Sequence, residues 1–544
     1  MKASELFVKC LENESVEYIF GVPGEENLDV MDALLDSNIK FITTRHEQGA
    51  AFMADVYGRL TGRPGVCLST LGPGATNLIT GVADANMDHA PLVAIAGQAD
   101  SNRLHKEAHQ VLNLAEMFQH VTKYSSRLMT PSVINEVVRK AFKVAMTDKK
   151  GATFIEFPEN LAKMDVKDAT PLRVKTPMLP EPHTSRVELA AKIISEAREP
   201  MILAGNGVIR SGAWDQLLKF AEKLNIPVAN TFMAKGVIPF RHPMALGSAG
   251  LQAHDYVQCG FAKADVVICI GYDLVEYPAK LWHPTCDRRL IHIDAVPAEV
   301  DAYYQIDVGV VGDIRISLDR IAATATPHVG QRMRPLREAL ITEMNQHKDD
   351  DGFPIKPQKI IYDLRKSLAP DDVVICDVGA HKMWMARMYR CDVPNTCIIS
   401  NGFASMGIAV PGALAAKLVY PDKKIVAVTG DAGFLMNSQE IETAVRLGLA
   451  FVILIWNDNG YGLIEWKQLN QFGRPSNIRF TNPDFVKYAE SFGAKGYRVE
   501  RAADLLPTIQ AALKENTVTI IDCPVDYREN MKLTETLGGL VCPI

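Results

Sequence analysis

The sequence lacks most of the features that would take it outside ordinary globular chemistry. No apolar run approaches about 18 residues, so no stretch reads as a membrane-spanning helix. No long basic run occurs and the formal net charge is −6. Both argue against nucleic acid or an anionic membrane as the main partner. No CxxC pair occurs among the 10 cysteines. They are scattered, mostly in apolar stretches, and read as reduced core thiols rather than zinc ligands or disulfides. The opening MKASELFVKCLENE reads as an amphipathic helix with acidic residues, not a signal peptide. The expected location is therefore cytoplasmic. No short-period repeat is present.

What is present is a long chain of short apolar strands, polar turns and helices. Its 544 residues, 47% hydrophobic and 22% charged, suit a soluble protein of about three or four domains. Strands alternating with helices imply α/β architecture with parallel sheets. A first block spans residues 1–165, a second 188–322 and a third 358–530, with a tail at 531–544. The segments 163–187 and 323–357 are polar or proline-rich and read as linkers. In the second block PMILAGNGVI reads as a strand carrying Gly205-Asn206-Gly207. That is half of a dinucleotide fingerprint, without the third glycine or a matching acidic residue.

The most informative stretch is 425–466. The strand IVAVT runs into Gly430-Asp431-Ala432-Gly433, and a helix is expected from about Ser438 to Leu447. A second strand, AFVILIW, ends in Asn457-Asp458-Asn459-Gly460. Both polar turns fall at strand C-termini, the edge where parallel sheets bind ligands. A glycine turn can present N–H groups to phosphate. Asp431 and Asp458 add hard oxygen ligands for Mg2+. Far upstream, RHEQGAAFMADVYGR places Glu47 where a strand ends and a helix begins.

These segments carry a resemblance. GDAGFLMNSQEIETAVRL…IWNDN is similar to the signature of thiamine-diphosphate-dependent enzymes, and RHEQGAAFMADVYGR and LSTLGPGATNLITGVADA to companion segments of the same family. Within it the chain most resembles acetolactate synthases, through VTKY, ICIGYDLVEY, DVGAHKMWMAR, ETAVRL, NPDFVKYAESFGAKG and PVDYREN, of which the last four favour the catabolic, flavin-independent type. The resemblance implies three doubly wound parallel-sheet domains: pyrimidine-binding, central and diphosphate-binding. It implies thiamine diphosphate and Mg2+ as cofactors, 2-oxoacid substrates, and a homodimer or homotetramer with active sites between subunits.

Carried over by residue, the resemblance assigns the metal to Asp431 and Asp458 side chains and the Gly460 carbonyl. The diphosphate falls to His381, Ala432 and Gly433. Met406 becomes the apolar wedge under the cofactor and the Ala404 carbonyl the acceptor for its 4′-amino group. Gly24, Thr70, Asn77 and Tyr461 lie near cofactor or substrate. Glu47 donates a proton to the aminopyrimidine, a task suited to a carboxyl whose apolar setting raises its pKa. Gln110 positions the substrate. The implied reaction is decarboxylation of pyruvate and ligation to a second 2-oxoacid, giving acetolactate.

Four positions keep an alternative open. Glu25 follows the turn glycine where related 2-oxoacid decarboxylases carry an acid. His109 beside Gln110 matches one of their two histidines. Glu465 lies one residue from their acidic position, beside Trp466. A proton donor there would favour aldehyde release. A catalytically inactive binding or regulatory homologue is the third reading, opposed by the intact Glu47, Asp431 and Asp458. GYDLVEYPAKLW replaces the segment flavin-containing synthases carry, so no FAD is expected.

Overall fold

Each block of apolar strands forms one sheet in which every pairing is parallel. The computed structural model describes residues 1–167, 169–175, 178–250, 255–330, 333–531 and 542. The first sheet contains β1 (Tyr18–Gly21), β2 (Lys40–Thr43), β3 (Gly65–Ser69), β4 (Leu92–Gln98), β5 (Tyr124–Arg127) and β6 (Ala152–Pro158). The second contains β7 (Pro200–Ala204), β8 (Val228–Asn230), β9 (Ala245–Ser248), β10 (Val266–Ile270), β11 (Arg289–Asp294) and β12 (Val308–Val311). The third contains β13 (Val373–Cys376), β14 (Cys397–Ile399), β15 (Ile425–Gly430), β16 (Val452–Asn457), β17 (Lys495–Arg498) and β18 (Thr519–Pro524).

The orders are β2-β1-β3-β4-β6-β5, β12-β11-β10-β7-β8-β9 and β14-β13-β15-β16-β18-β17. In each, the first strand of the block is flanked on both sides by later strands, so the winding reverses beside it. The reversal opens a crevice outside the strand C-termini, between β1 and β3, β7 and β10, and β13 and β15. These three crevices set the places where a ligand can sit.

Burial on both faces explains the apolar runs. Along β1 and β3, Phe20 and Cys67 belong to one core cluster, while Ile19 and Val66 belong to another on the opposite face. The cluster under Phe20 is shared: it continues through Ala50, Phe52 and Val56 to Ala409, Ala413, Val373 and Ile375 of the third unit. The helices Glu47–Thr61 and Ala409–Val419 meet there closely. A β-carbon at Gly412 would come within 2.9 Å of Val56 Cγ2. The first and third units are therefore joined by a common core within one chain.

Several sequence expectations are corrected. The helix placed at Ser438–Leu447 begins earlier, at Asp431, and forms two pieces, Asp431–Asn437 and Glu440–Arg446. The strand PMILAGNGVI stops at Ala204, and a short helix Asn206–Arg210 follows. The 323–357 segment is not a plain linker, because it holds the helix Arg334–Asn345. Leu336, Leu340 and Met344 of that helix are buried, a spacing of four residues that the flanking charges obscured. Cys259 and Cys542 form a disulfide, against the reading of all cysteines as reduced thiols; their separation of 283 residues hides the pairing in the sequence. Cys286 is exposed rather than in a core. Of the 531–544 tail, only Met531 and Cys542 lie within the described residues. No helix among the described residues is long and apolar enough to cross a membrane.

Candidate active site

The β1/β3 crevice gathers most of the first-block candidates. Gly24 follows β1 and Thr70 follows β3, and they touch: a β-carbon on Gly24 would lie 2.4 Å from Thr70 Cβ. Glu47 opens its helix behind β2. His46 fills the cap position, its Nδ1 accepting from Gln48 N at 2.9 Å. That leaves the Glu47 carboxylate to turn inward, where Asn77 Nδ2 donates to Oε2 at 3.0 Å. A β-carbon on Gly74 would meet Glu47 Oε1 at 3.3 Å, so the neighbouring helix approaches closely only through glycine. Gln110 holds φ of 57° and packs on Gly72. It is exposed in the single chain, as are Glu25 and His109. The residue that reaches Thr70 is Glu26, not Glu25: Thr70 Oγ1 donates to Glu26 Oε2.

The β13/β15 crevice gathers the rest. A cavity of about 190 Å³ is lined by His381, Ala404, Met406, Asp431, Ala432, Gly433, Asp458, Gly460 and Tyr461. No residue of the first sheet's unit lines it. Asp431 is 1% exposed. Its carboxylate is held by Asn482 Nδ2 and Asn459 N, both at 2.7 Å to Oδ2, and by Ala432 N at 2.9 Å to Oδ1. Ala432 lies within the helix Asp431–Asn437, at negative φ, so its methyl is accommodated where the motif usually has glycine.

The electrostatics of this crevice favour a cation. Burial, and then the nearby Asp431 carboxylate, push Asp458 up to about 8. Asp458 Oδ2 accepts no hydrogen bond among the described residues; Arg479 Nη1 stands 3.7 Å away. Two crowded carboxylates with an unfilled oxygen are a fitting donor set for a hard divalent ion. His381 is 2% exposed, and burial pulls its pKa down to about 3, so the ring is neutral. Its Nε2 is buried without a hydrogen-bond partner among the described residues, as expected of a group kept for a ligand.

Glu465 and Trp466 lie on the far side of Asp458, in a separate cavity of about 400 Å³. Arg479 Nη2 donates to Glu465 Oε2, and its Nη1 to the Asp458 carbonyl at 2.7 Å. Sequence reasoning missed Arg479, Asn482 and Glu26. It also missed Glu440, whose carboxylate accepts from the start of the Glu47 segment. Of these only Glu26 carried a visible signal, an acid in the turn directly after the apolar strand β1.

The β7/β10 crevice is filled by the protein itself. Glu276 accepts from Asn206 N at 3.0 Å and from Thr231 Oγ1. β-Carbons on Gly205 or Gly207 would strike Gly271 backbone atoms at 2.4 and 2.5 Å. The GNG turn is therefore explained by close packing of two strand-end turns.

The candidate side chains fall in the crevices of the two outer sheets, and the middle crevice is closed by a carboxylate, in a three-unit α/β protein. Residues 1–117 match the N-terminal TPP binding domain of thiamine pyrophosphate enzymes, residues 187–321 their central domain and residues 377–523 their C-terminal TPP binding domain. An acetolactate synthase of Bacillus subtilis is 37% identical, covering 98% of this chain and 94% of its own. A catabolic acetolactate synthase of Raoultella terrigena is 34% identical, covering 97% and 95%. An acetolactate synthase large subunit of Corynebacterium glutamicum is 34% identical, covering 96% and 86%. The chain belongs to the thiamine pyrophosphate enzyme family, and within it to the acetolactate synthase-like group.

Proposed function

We propose that the chain is a thiamine-diphosphate- and Mg2+-dependent acetolactate synthase that decarboxylates pyruvate and ligates the two-carbon fragment to a second 2-oxoacid. The observation that carries this reading is the pairing of Glu47, held by Asn77 at 3.0 Å, with a separate cavity holding Asp431, Asp458 and His381. Asp431, Asp458 and the Gly460 carbonyl would hold the metal. His381 Nε2 and the Ala432 and Gly433 backbone would meet the diphosphate, and Ala404 and Met406 the aminopyrimidine end. When bound, the cofactor supplies the electron sink for loss of CO2.

Glu47 holds a proton at the cofactor's pyrimidine nitrogen, with Asn77 fixing the orientation of its carboxyl. Thr70 and Gln110 position the 2-oxoacid. Because the cavity of the third sheet takes no lining from the first, each full site is read as the first unit of one copy facing the third unit of another. The assembly is then a homodimer or homotetramer. The reading invokes no flavin: in the middle crevice Glu276 accepts from Asn206 N at the head of the helix Asn206–Arg210. The pairing of Glu465 with Arg479 speaks against Glu465 as the free proton donor of a decarboxylase.

The test is incubation of the purified protein with pyruvate, thiamine diphosphate and Mg2+, with acetolactate and acetaldehyde both measured. Acetolactate as main product is expected, with the ratio unchanged in Glu465→Gln. Acetaldehyde alone would assign the decarboxylase reading, and no CO2 from any 2-oxoacid the inactive one.

A further inference from the structure

The loop from Ser400 to Met406 carries Ala404 and Met406, the positions assigned above to the aminopyrimidine end of the cofactor. Ala404 holds φ of 57°, in the left-handed region that alanine rarely adopts. Such a conformation persists only where its surroundings over-determine it. The surroundings here come from all three units.

From the first unit, Asp84 Oδ1 accepts from Ser400 Oγ at 2.7 Å and Ser405 N at 3.2 Å. Asp88 accepts from Asn401 N at 3.1 Å and Gly402 N at 2.5 Å. A β-carbon on Gly402 would lie 2.6 Å from Asp88 Oδ1, so glycine is needed for that contact. Both acids are gathered by the Arg59 guanidinium, at 2.9 and 2.8 Å, and Asp55 pairs with the same group at 2.6 Å. From the third unit, Lys382 Nζ donates to Ser400 O at 3.1 Å and Asn401 Oδ1 at 3.0 Å. From the second, the Glu276 carbonyl accepts from Asn401 Nδ2 at 2.7 Å. Asp55, Asp84, Asp88 and Lys382 are all buried. Asp84 lies in the last turn of the helix Pro73–Met87 and Asp88, four residues on, caps its C-terminus, so one helix end meets the loop twice.

We propose that Asp84 and Asp88, held by Arg59, are positioning residues that clamp the 400–405 loop so that Ala404 stays in its left-handed conformation for cofactor binding. The inference rests on the assignment of Ala404 to the cofactor. Neither acid touches the reacting atoms. Their effect therefore falls on cofactor affinity and on loop order, and on turnover only through these.

The experiment uses full-length wild type, Asp88→Asn, Ala404→Gly and the double variant, with Ser400→Ala as a milder change. Two quantities are read: amide hydrogen exchange over residues 400–406 without cofactor, and the Kd of thiamine diphosphate at saturating Mg2+. Asp88→Asn is expected to speed exchange and weaken binding about tenfold. Ser400→Ala should move both in the same direction by less. Asp88→Asn should cost clearly less affinity in the Ala404→Gly background, because glycine adopts the left-handed conformation unaided. A merely structural role would show equal losses in both backgrounds, and that result overturns the proposal. Exchange in Asp88→Asn and Ser400→Ala equal to wild type overturns it too. If wild type binds no thiamine diphosphate, the proposed function fails, and the exchange comparison still decides whether the clamp exists.

Discussion

Glu440 Oε1 accepts the main-chain N–H of His46 at 3.0 Å, across 394 residues of sequence. The same oxygen takes Arg45 N at 3.0 Å, and a β-carbon on Gly49 would lie 2.7 Å from it. Glu440 opens the helix piece that follows the one beginning at Asp431, while His46 caps the helix that begins at Glu47. One carboxylate thus ties the segment bearing Glu47 to the segment bearing Asp431 in the same chain. A change at either half-site has a short path to the other.

Removal of that tie should cost both stability and turnover. A buried hydrogen bond to a charged group contributes about 1.5–3 kcal/mol. Glu440→Ala is expected to lower the thermal midpoint and to reduce kcat roughly tenfold, with Glu440→Gln between it and wild type. Thermal unfolding and steady-state kinetics check this; unchanged values in both variants would show that the contact is dispensable.

Glu47→Gln should leave Mg2+-dependent thiamine diphosphate binding largely in place, because the residues proposed to hold the metal and diphosphate line the cavity of the third unit. Hydrogen–deuterium exchange at the cofactor C2 and kcat should fall by about 10²-fold or more. Full turnover in this variant would remove Glu47 from the activation role.

Asp458→Asn keeps an oxygen ligand and removes one of two crowded charges, so binding of thiamine diphosphate should survive at a higher Mg2+ requirement. Asp458→Ala removes the oxygen and should abolish Mg2+-dependent binding. Cofactor titrations over a range of Mg2+ distinguish the two outcomes, and equal behaviour of both variants would take the metal away from Asp458.

Asp377 provides a pH signature in the fold itself. It accepts from Val378 N, Gly407 N and Thr429 Oγ1 at 2.7, 2.8 and 3.0 Å, yet burial pushes it up to about 6. A carboxyl raised in the folded state keeps its proton longer than the unfolded chain does. Stability therefore falls as pH rises from about 4 to about 6 and stays lower above that, by about 3 kcal/mol for two units. Asp377→Asn lacks this term. Its thermal midpoint relative to wild type should rise across that window; a constant difference would refute the assignment.

Much of the fold was legible because parallel strands buried on both faces must be apolar and must end in polar turns. IVAVT and AFVILIW announced β15 and β16, and with them the strand ends that carry Asp431 and Asp458. The helix Arg334–Asn345 was not legible, since its buried residues are spaced among charges and read as a linker. The pairing of Cys259 with Cys542 was equally hidden, because no local pattern records a contact across a sequence separation of 283 residues.

The sequence by itself determined the alternation of strands and helices, the two acidic turns and the helix-start glutamate, for these are local consequences of residue type and spacing. Tertiary structure decided which groups meet. It joined the first and third units through a shared core and seated Glu26 rather than Glu25 on Thr70. It closed the middle crevice with Glu276 and set Asp84 and Asp88 on a loop more than three hundred residues away. Such meetings depend on how three sheets pack, and packing is a property of the whole chain, not of any stretch within it.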